Sequence, residues 1–282
     1  MESIPHLPLA TAVTASVDWY TATATSREDP DTLFRFGIEL LRRDRARGNR
    51  AREKHWYGYT GPRTGYAFAG EGKWGACVWC VGDLADQTFD ELRGLDCRIT
   101  RLDHAVTLQL PETLEEVVEV VRDAFIAARD SLPNPPEWDY HHSSDGGSTF
   151  EVGKRANDIY GRVYDKHRQS RGAYPPGTYR WELEAKKPTS HAHASCMLAS
   201  ADRRGASGAT VRSWFAQRYV PTPWADVAGD VLPRGTRERS DDERWRGWLD
   251  KQVRPSLARR GRVGREILIS WLLQDYGGQE EE

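Results

Sequence analysis

Two spacings of apolar residues alternate along the chain: one repeats every second residue, the other every three or four. The stretch SVDWYTATATS (16–26) is rich in β-branched and aromatic residues and predicts a strand. DPDTLFRFGIELLRRDRARG opens on an Asp-Pro start signal. It carries Leu33, Phe34, Phe36, Ile38, Leu40 and Leu41 and ends in arginines and Gly48, which predicts a helix. HWYGYTGPRTGYAFAG predicts a hairpin turning at Gly61 to Gly65, ACVWCVG continues the sheet, and QTFDELRGL predicts a short helix. CRITRLDHAVTLQL (97–110) is a long strand. PETLEEVVEVVRDAFIAARDSL is a helix with Pro111 at its start and with Leu114, Val117, Val118, Val121 and Phe125 on one face. LPNPPEWDYHHSSDGG predicts a loop. Strands follow near 148–153, 159–167 and 178–187, with a turn at Tyr174-Pro175-Pro176-Gly177. After Pro188 the character changes to helix and loop: TVRSWFAQRYV, a Pro-rich linker near 221–235, the basic segment DDERWRGWLDKQV, then REILISWLLQDYG.

The order β-α-β-β-α-β-α-β-β-β predicts an α+β domain, a mostly antiparallel central sheet with helices packed on it, plus a C-terminal helical extension. The expected divisions are a flexible arm at 1–14, a catalytic domain at 15–190, the extension at 191–275 and a disordered tail at 276–282. Strands frame a helix in each half, as an internal repeat would require.

Composition narrows the class. With 282 residues, 38% hydrophobic and 29% charged, the chain fits a globular protein with a heavily charged surface. The formal net charge is −2, yet residues 154–187 hold nine Lys/Arg against four Asp/Glu, and 234–265 hold eleven against five. Such local basic stretches steer polyanions even in a neutral chain. Cys77 and Cys80 form C-x-x-C inside an apolar run with no second pair, so they are expected to be buried structural thiols. There is neither a signal-peptide core nor a long apolar span, so the expectation is a cytoplasmic protein with no membrane partner.

Strand parity gathers the polar residues. Arg101, Asp103 and Thr107 share one face of their strand, Tyr160, Arg162, Tyr164 and Lys166 one face of theirs, and Arg180, Glu182, Glu184 and Lys186 one face of the third. If these faces point the same way, one surface presents Asp103, Glu182 and Glu184 beside Tyr164, Arg162 and Arg180. Convergent carboxylates suit a hard cation such as Mg²⁺ or Mn²⁺, which polarises a phosphodiester. A tyrosine oxygen beside it can act as nucleophile. Only about one phenol in a thousand is ionised at neutral pH, so nearby cations would be needed to favour the phenolate. A phosphotyrosine ester conserves the bond energy, so such a site suits strand transfer better than hydrolysis. The same residues also fit ordinary cross-strand ladder pairs.

At these residues the chain resembles the Rep_trans family of rolling-circle replication initiators, which is related to some conjugative relaxases. VDWYTATAT resembles the family's opening Asp-containing strand, and ITRLDHAVT its Thr-Arg-hydrophobic-Asp-x-Ala block. GSTFEVGKRANDIYGRVYDK resembles its Arg-x-Tyr-Asp-Lys strand with the preceding turn, and YRWELEAKK its Arg-x-Glu-x-Glu strand. The matches span about residues 16–187. The resemblance implies a metal-dependent, sequence-specific DNA nicking and strand-joining enzyme. Tyr164 would be the nucleophile, chosen over Tyr160 by its place in Tyr-Asp-Lys. Asp103, Glu182 and Glu184 would be metal ligands for Mg²⁺ or Mn²⁺, and Arg162, Arg180 and Lys166 would hold phosphates. The implied partners are origin DNA as duplex, hairpin or single strand, a separate helicase, and a second copy of the chain. Thr107 stands where some members carry a further Asp, and Asp18 is the residue that could compensate. A relaxase with the same chemistry, or a non-cleaving DNA-binding regulator on the same fold, stays open.

His141-His142 and His191-x-His193 form a competing metal set, and both are expected in loops as polar residues. No Walker, dinucleotide or nucleophile-elbow sequence occurs. Trp214, Trp224, Trp245 and Trp248 lie among arginines and read either as stacking platforms for DNA or as helix packing.

Overall fold

The computed structural model describes residues 7–25, 31–43, 47–50, 57–60, 65–70, 76–111, 116–129, 133–142, 147–224 and 229–234, all within one compact unit, 1–235. The expected first residues of the arm, the hairpin tip 61–64, Leu114, the basic helical segments after 235 with Trp245 and Trp248, and the tail lie outside the described residues.

The elements run β1 (Ala12–Ala24), α1 (Asp31–Arg43), β2 (Arg47–Arg50), β3 (Tyr57–Thr60), β4 (Gly65–Gly70), β5 (Cys77–Gly82) and α2 (Asp83–Thr88) with a 3₁₀ turn at Phe89–Leu92. Then come β6 (Cys97–Gln109), α3 (Val117–Arg129), β7 (Trp138–His142), β8 (Ser148–Val152), β9 (Ile159–Asp165), α4 (Lys166–Gln169), β10 (Thr178–Lys186), α5 (Lys187–Ala199) and α6 (Arg203–Ala216). The strands form one sheet in the order β2-β3-β4-β5-β1-β6-β10-β9-β8-β7, and every neighbouring pair is antiparallel. This is the expected α+β class. The order is symmetric about the central β1–β6 pair. The run β1-α1-β2-β3-β4-β5-α2 has the same pattern as β6-α3-β7-β8-β9-β10-α5 apart from the single-turn α4, so the two halves share the element order that a repeat requires.

One face of the sheet is apolar. Val17, Tyr20, Ala22 and Leu102 meet Leu33, Phe36 and Leu40 of α1 and Ala194 and Met197 of α5. Val106, Leu108, Val163, Trp181 and Leu183 meet Val117, Val121 and Phe125 of α3 and Val211, Trp214 and Phe215 of α6. Each such side chain contributes about 1.5–3 kcal/mol. Closeness has a specific cause in β9: at Gly161 a Cβ would stand 2.8 and 2.9 Å from Phe215 ring carbons and nearer still to Trp214. Trp214 and Trp224 are therefore core residues; Trp224 meets Trp181 edge to face at 5.5 Å. Cys77 and Cys80 are buried thiols.

Three local expectations are corrected. Trp138–His142 is an edge strand, not loop, because its backbone pairs with β8 despite the prolines before it. His191 and His193 lie in α5, not in a loop. Lys187, with φ 54°, starts the helix and Pro188 lies in its first turn; the helix's apolar residues are spread around the axis without a one-sided stripe. Strand β9 stops at Asp165, whose side chain accepts from Arg168 N at 2.8 Å and caps α4, so Lys166 starts a helical turn instead of extending the strand.

A polar cluster crosses the apolar layer. His104 Nε2 and His193 Nδ1 are 2.9 Å apart, and His104 Nδ1 is 3.0 Å from Ser207 Oγ. Burial holds both imidazoles below their ordinary range, His193 at about 4, and for His104 the second ring adds to it. The unfolded chain takes up these protons near ~6.5, whereas the folded one resists until lower pH. This contribution is therefore complete above ~6.5 and is lost as pH falls through about 4. It is on the order of 3 kcal/mol for His193. Melting temperature measured from pH 7.5 to 4.5 is expected to fall more steeply for the native chain than for His104→Gln; equal slopes would refute the assignment.

Candidate functional site

The opposite face of β1, β6, β10 and β9 is polar. Register brings the expected residues together: Glu184 pairs with Asp103, Glu182 with Ala105 and Arg180 with Thr107 across β6–β10. Arg180 pairs with Tyr164, and Glu182 with Arg162, across β10–β9. A bulge in β1 adds a further group. Val17 faces His104 and Trp19 faces Asp103, leaving Asp18 as the extra residue, so Asp18 and Trp19 both turn toward this face while Val17 and Tyr20 stay in the core.

The contacts form three groups. Tyr164 Oη donates to Glu182 Oε2 at 2.6 Å, and Arg162 Nη2 pairs with Glu182 Oε1. Arg180 Nη1 pairs with Asp18 Oδ1 while its Nε donates to Thr107 Oγ1 at 3.0 Å. Arg101 reaches Asp103 at 2.6 Å and Glu184 at 2.8 Å, and Lys186 Nζ lies 2.6 Å from Glu184 Oε1. Lys166 Nζ sits over the Tyr164 ring at 5.7 Å and donates to Gln169 at 3.0 Å. Asp103, Glu182 and Glu184 are each 1–2% exposed. Carboxylates this deep need cation partners, since an unpaired buried charge costs several kcal/mol.

Crowding tunes the groups. Burial pushes the Asp103 carboxyl up to about 8, and Glu182 and Glu184 push the same way against Arg101. Burial also raises Glu182, but Arg162, the Tyr164 hydroxyl and Arg180 outweigh it and hold it below its ordinary range. Tyr164 is raised well above its ordinary value by burial and then by Glu182. Lys166 is lowered by burial and by Arg180. The groups border an open cleft of about 650 Å³, lined among others by Asp18, Arg101, Arg162, Tyr164, Lys166 and Glu182. Tyr160 is on the same face, one pair further along, and does not line the cleft.

The metal expectation meets a mixed answer. Among the described residues no group of three or more His, Cys, Asp or Glu side chains is arranged to hold an ion. The donor chemistry nonetheless fits a hard cation. Both buried oxygens of Glu184 are ion-paired by distance but receive no well-directed hydrogen bond. His141 and Glu151 lie at the rim of the cleft, and His193 is committed to His104, so the two histidine groups do not meet the carboxylates as a shared site. Arg101 and Trp19 are members of the site that sequence patterning did not single out. The signals for Arg101 were its parity with Asp103 and its place in the Thr-Arg-hydrophobic-Asp-x-Ala block.

Comparison with known proteins agrees with this architecture. The solved structure titled as a rolling circle replication initiator protein from Geobacillus stearothermophilus superposes with a TM-score of 0.52 and 16% identity, over 73% of this chain and 85% of that one. At that identity the likeness is one of fold. No curated protein matches the chain. Among the described residues no helix is long and apolar enough to cross a membrane. The family model for replication initiation factors matches residues 97–262, from the first residue of β6 through β10, α5 and α6 and beyond. With β6 to β10 and more than half of its length matched, the chain belongs to the Rep_trans family of replication initiation factors.

Proposed function

We propose that this chain is a metal-dependent, sequence-specific DNA nickase and strand transferase that initiates rolling-circle replication of a plasmid or phage through a covalent bond between DNA and Tyr164. The observation that carries the proposal is the Tyr164 hydroxyl, hydrogen-bonded at 2.6 Å to Glu182 at the wall of a cleft bordered by Arg101, Arg162 and Lys166. Cations beside a phenol and a buried carboxylate suit a phosphodiester.

A scissile phosphate in the cleft is held by Arg162 and Lys166, while Arg180, buried and paired with Asp18, adds positive charge beside Tyr164 without lining the cleft. Glu182 holds the phenol by its hydrogen bond and takes the proton only as the oxygen–phosphorus bond forms, since the free phenol is far less acidic than this carboxyl. The tyrosine oxygen forms a bond to phosphorus as the opposite phosphorus–oxygen bond breaks, and the departing oxygen takes a proton to become a free hydroxyl. A bound Mg²⁺ or Mn²⁺ would neutralise charge building on the phosphate, with Asp103, Glu182 and Glu184 as its holders. The reverse displacement reseals a strand without ATP. Unwinding falls to a separate helicase, because the chain carries no Walker sequence. Origin DNA as duplex, hairpin or single strand is the partner, a second copy of the chain could serve the rejoining step, and the cytoplasm is the site of action.

A conjugative relaxase would use the same chemistry. A non-cleaving DNA-binding regulator is favoured by one observation: Asp18, Asp103, Glu182 and Glu184 each already have a cation partner. Incubation of supercoiled origin DNA with the protein and Mg²⁺ or Mn²⁺, followed by denaturing electrophoresis and mapping of the DNA-linked peptide, separates the readings. A nick with DNA on the Ile159–Asp165 strand supports the enzyme; binding without a nick supports the regulator.

A further inference from the structure

One guanidinium fills the gap between two of the buried carboxylates. Arg101 Nη2 lies 2.6 Å from Asp103 Oδ2 and 2.8 Å from Glu184 Oε2, and its Nε donates to Asp103 Oδ1 at 2.9 Å. The two acids are register partners across β6–β10, so the gap is built into the sheet. The arginine's flat face lies over the Trp19 indole at 4.1 Å, and the bulge at Asp18 puts that indole there. Arg101 keeps 22% of its side chain exposed and forms part of the cleft wall. Glu184 is 1% exposed, yet neither of its oxygens receives a well-directed hydrogen bond. A carboxylate in that state is under-satisfied and would gain from a closer-fitting cation.

We propose that Arg101 is a resident competitor for the metal seat. Its guanidinium neutralises Asp103 and, together with Lys186, Glu184 in the free protein, and a divalent cation displaces it into the cleft, where it takes hold of the DNA phosphate. The proposal rests on the metal-dependent reading given above. Two carboxylates facing one point repel one another unless positive charge stands between them. A guanidinium supplies one charge and a divalent cation two, and like charges cannot share the gap. Once displaced, Arg101 stays anchored on the cleft wall with a planar fork of donors suited to a phosphate. Cation and DNA then tighten one another: the cation releases Arg101 to the DNA, and the DNA holds Arg101 out of the cation's seat.

The test is Mn²⁺ binding by the full chain, read from the free-ion electron paramagnetic resonance signal, with and without a single-stranded oligonucleotide. Without DNA, Arg101→Gln is expected to bind Mn²⁺ roughly 5- to 150-fold more tightly than the native protein. The oligonucleotide should tighten Mn²⁺ binding in the native chain but not in the variant. Asp103→Asn should lose binding. If Arg101→Gln matches the native affinity or falls below it while Asp103→Asn abolishes binding, the competitor role is wrong and the metal reading stands. Absence of Mn²⁺ binding by every protein, with DNA present, removes both. Arg101→Lys serves if the Gln variant does not fold. Its single ammonium cannot span both acids, and an intermediate affinity is expected; affinity equal to native would overturn the proposal.

Discussion

Tyr164→Phe is expected to abolish the covalent DNA adduct while leaving DNA binding near the native level. The substitution removes one oxygen. That oxygen makes a single hydrogen bond, to Glu182, and the ring stays packed in a site that is 6% exposed. The stability cost is that of a hydrogen bond to a charged group, about 1.5–3 kcal/mol, which leaves a fold of this size intact. The cations that meet phosphate are untouched, and Glu182 keeps Arg162. Affinity for single-stranded DNA, and its fall with salt, should therefore persist. Loss of a nucleophile is a different order of effect, about 10³-fold or more in rate. The measurement is end-labelled origin oligonucleotide on a denaturing gel, with Tyr160→Phe alongside. Tyr160 does not border the cleft, so that variant should still form adduct. Adduct from the Tyr164→Phe protein would move the nucleophile elsewhere.

Glu182→Gln should cost both stability and nicking. Its carboxylate is 2% exposed and holds three groups at once: it pairs with Arg162, accepts from Tyr164, and feels Arg180 on the same strand. An uncharged amide leaves Arg162 without its partner. Removing one member of a buried pair costs about 3–5 kcal/mol. For a domain of this size each kcal/mol shifts the melting temperature by about 2–4 °C, so a drop of roughly 10 °C is expected in thermal unfolding. Adduct formation measured well below that melting point should also fall, because the phenol loses its proton acceptor. Full adduct formation by a destabilised Glu182→Gln protein would show that Glu182 is purely structural. An unchanged melting temperature would show that the pair contributes little.

Much of this site follows from alternation alone. A β-strand puts every second residue on the same face, so Asp103, Tyr164 and Glu182 could each be assigned a face from their own strand without knowledge of the fold. The helices α1 and α3 were equally legible, since their apolar residues recur at helical spacing and end on clear stop or start signals. Helix α5 was not, because its apolar residues form no one-sided stripe and its histidines mimic a loop metal motif. Strand β7 was hidden by the prolines before it and rests on pairing with a later segment.

What the chain determines locally, then, is which side chains stand together on each strand, and the charge and chemistry each face carries. The tertiary structure decided which strands become neighbours. It placed β6 between β1 and β10 and so set Arg101 between Asp103 and Glu184. It turned Asp18 and Trp19 onto one face by a bulge that breaks the alternation on which local inference depends. It joined His104 to a histidine 89 residues away. The physical reason is range: side-chain alternation is set by the backbone within a few residues, whereas pairing, register shifts and burial are set by contacts between segments far apart in the chain.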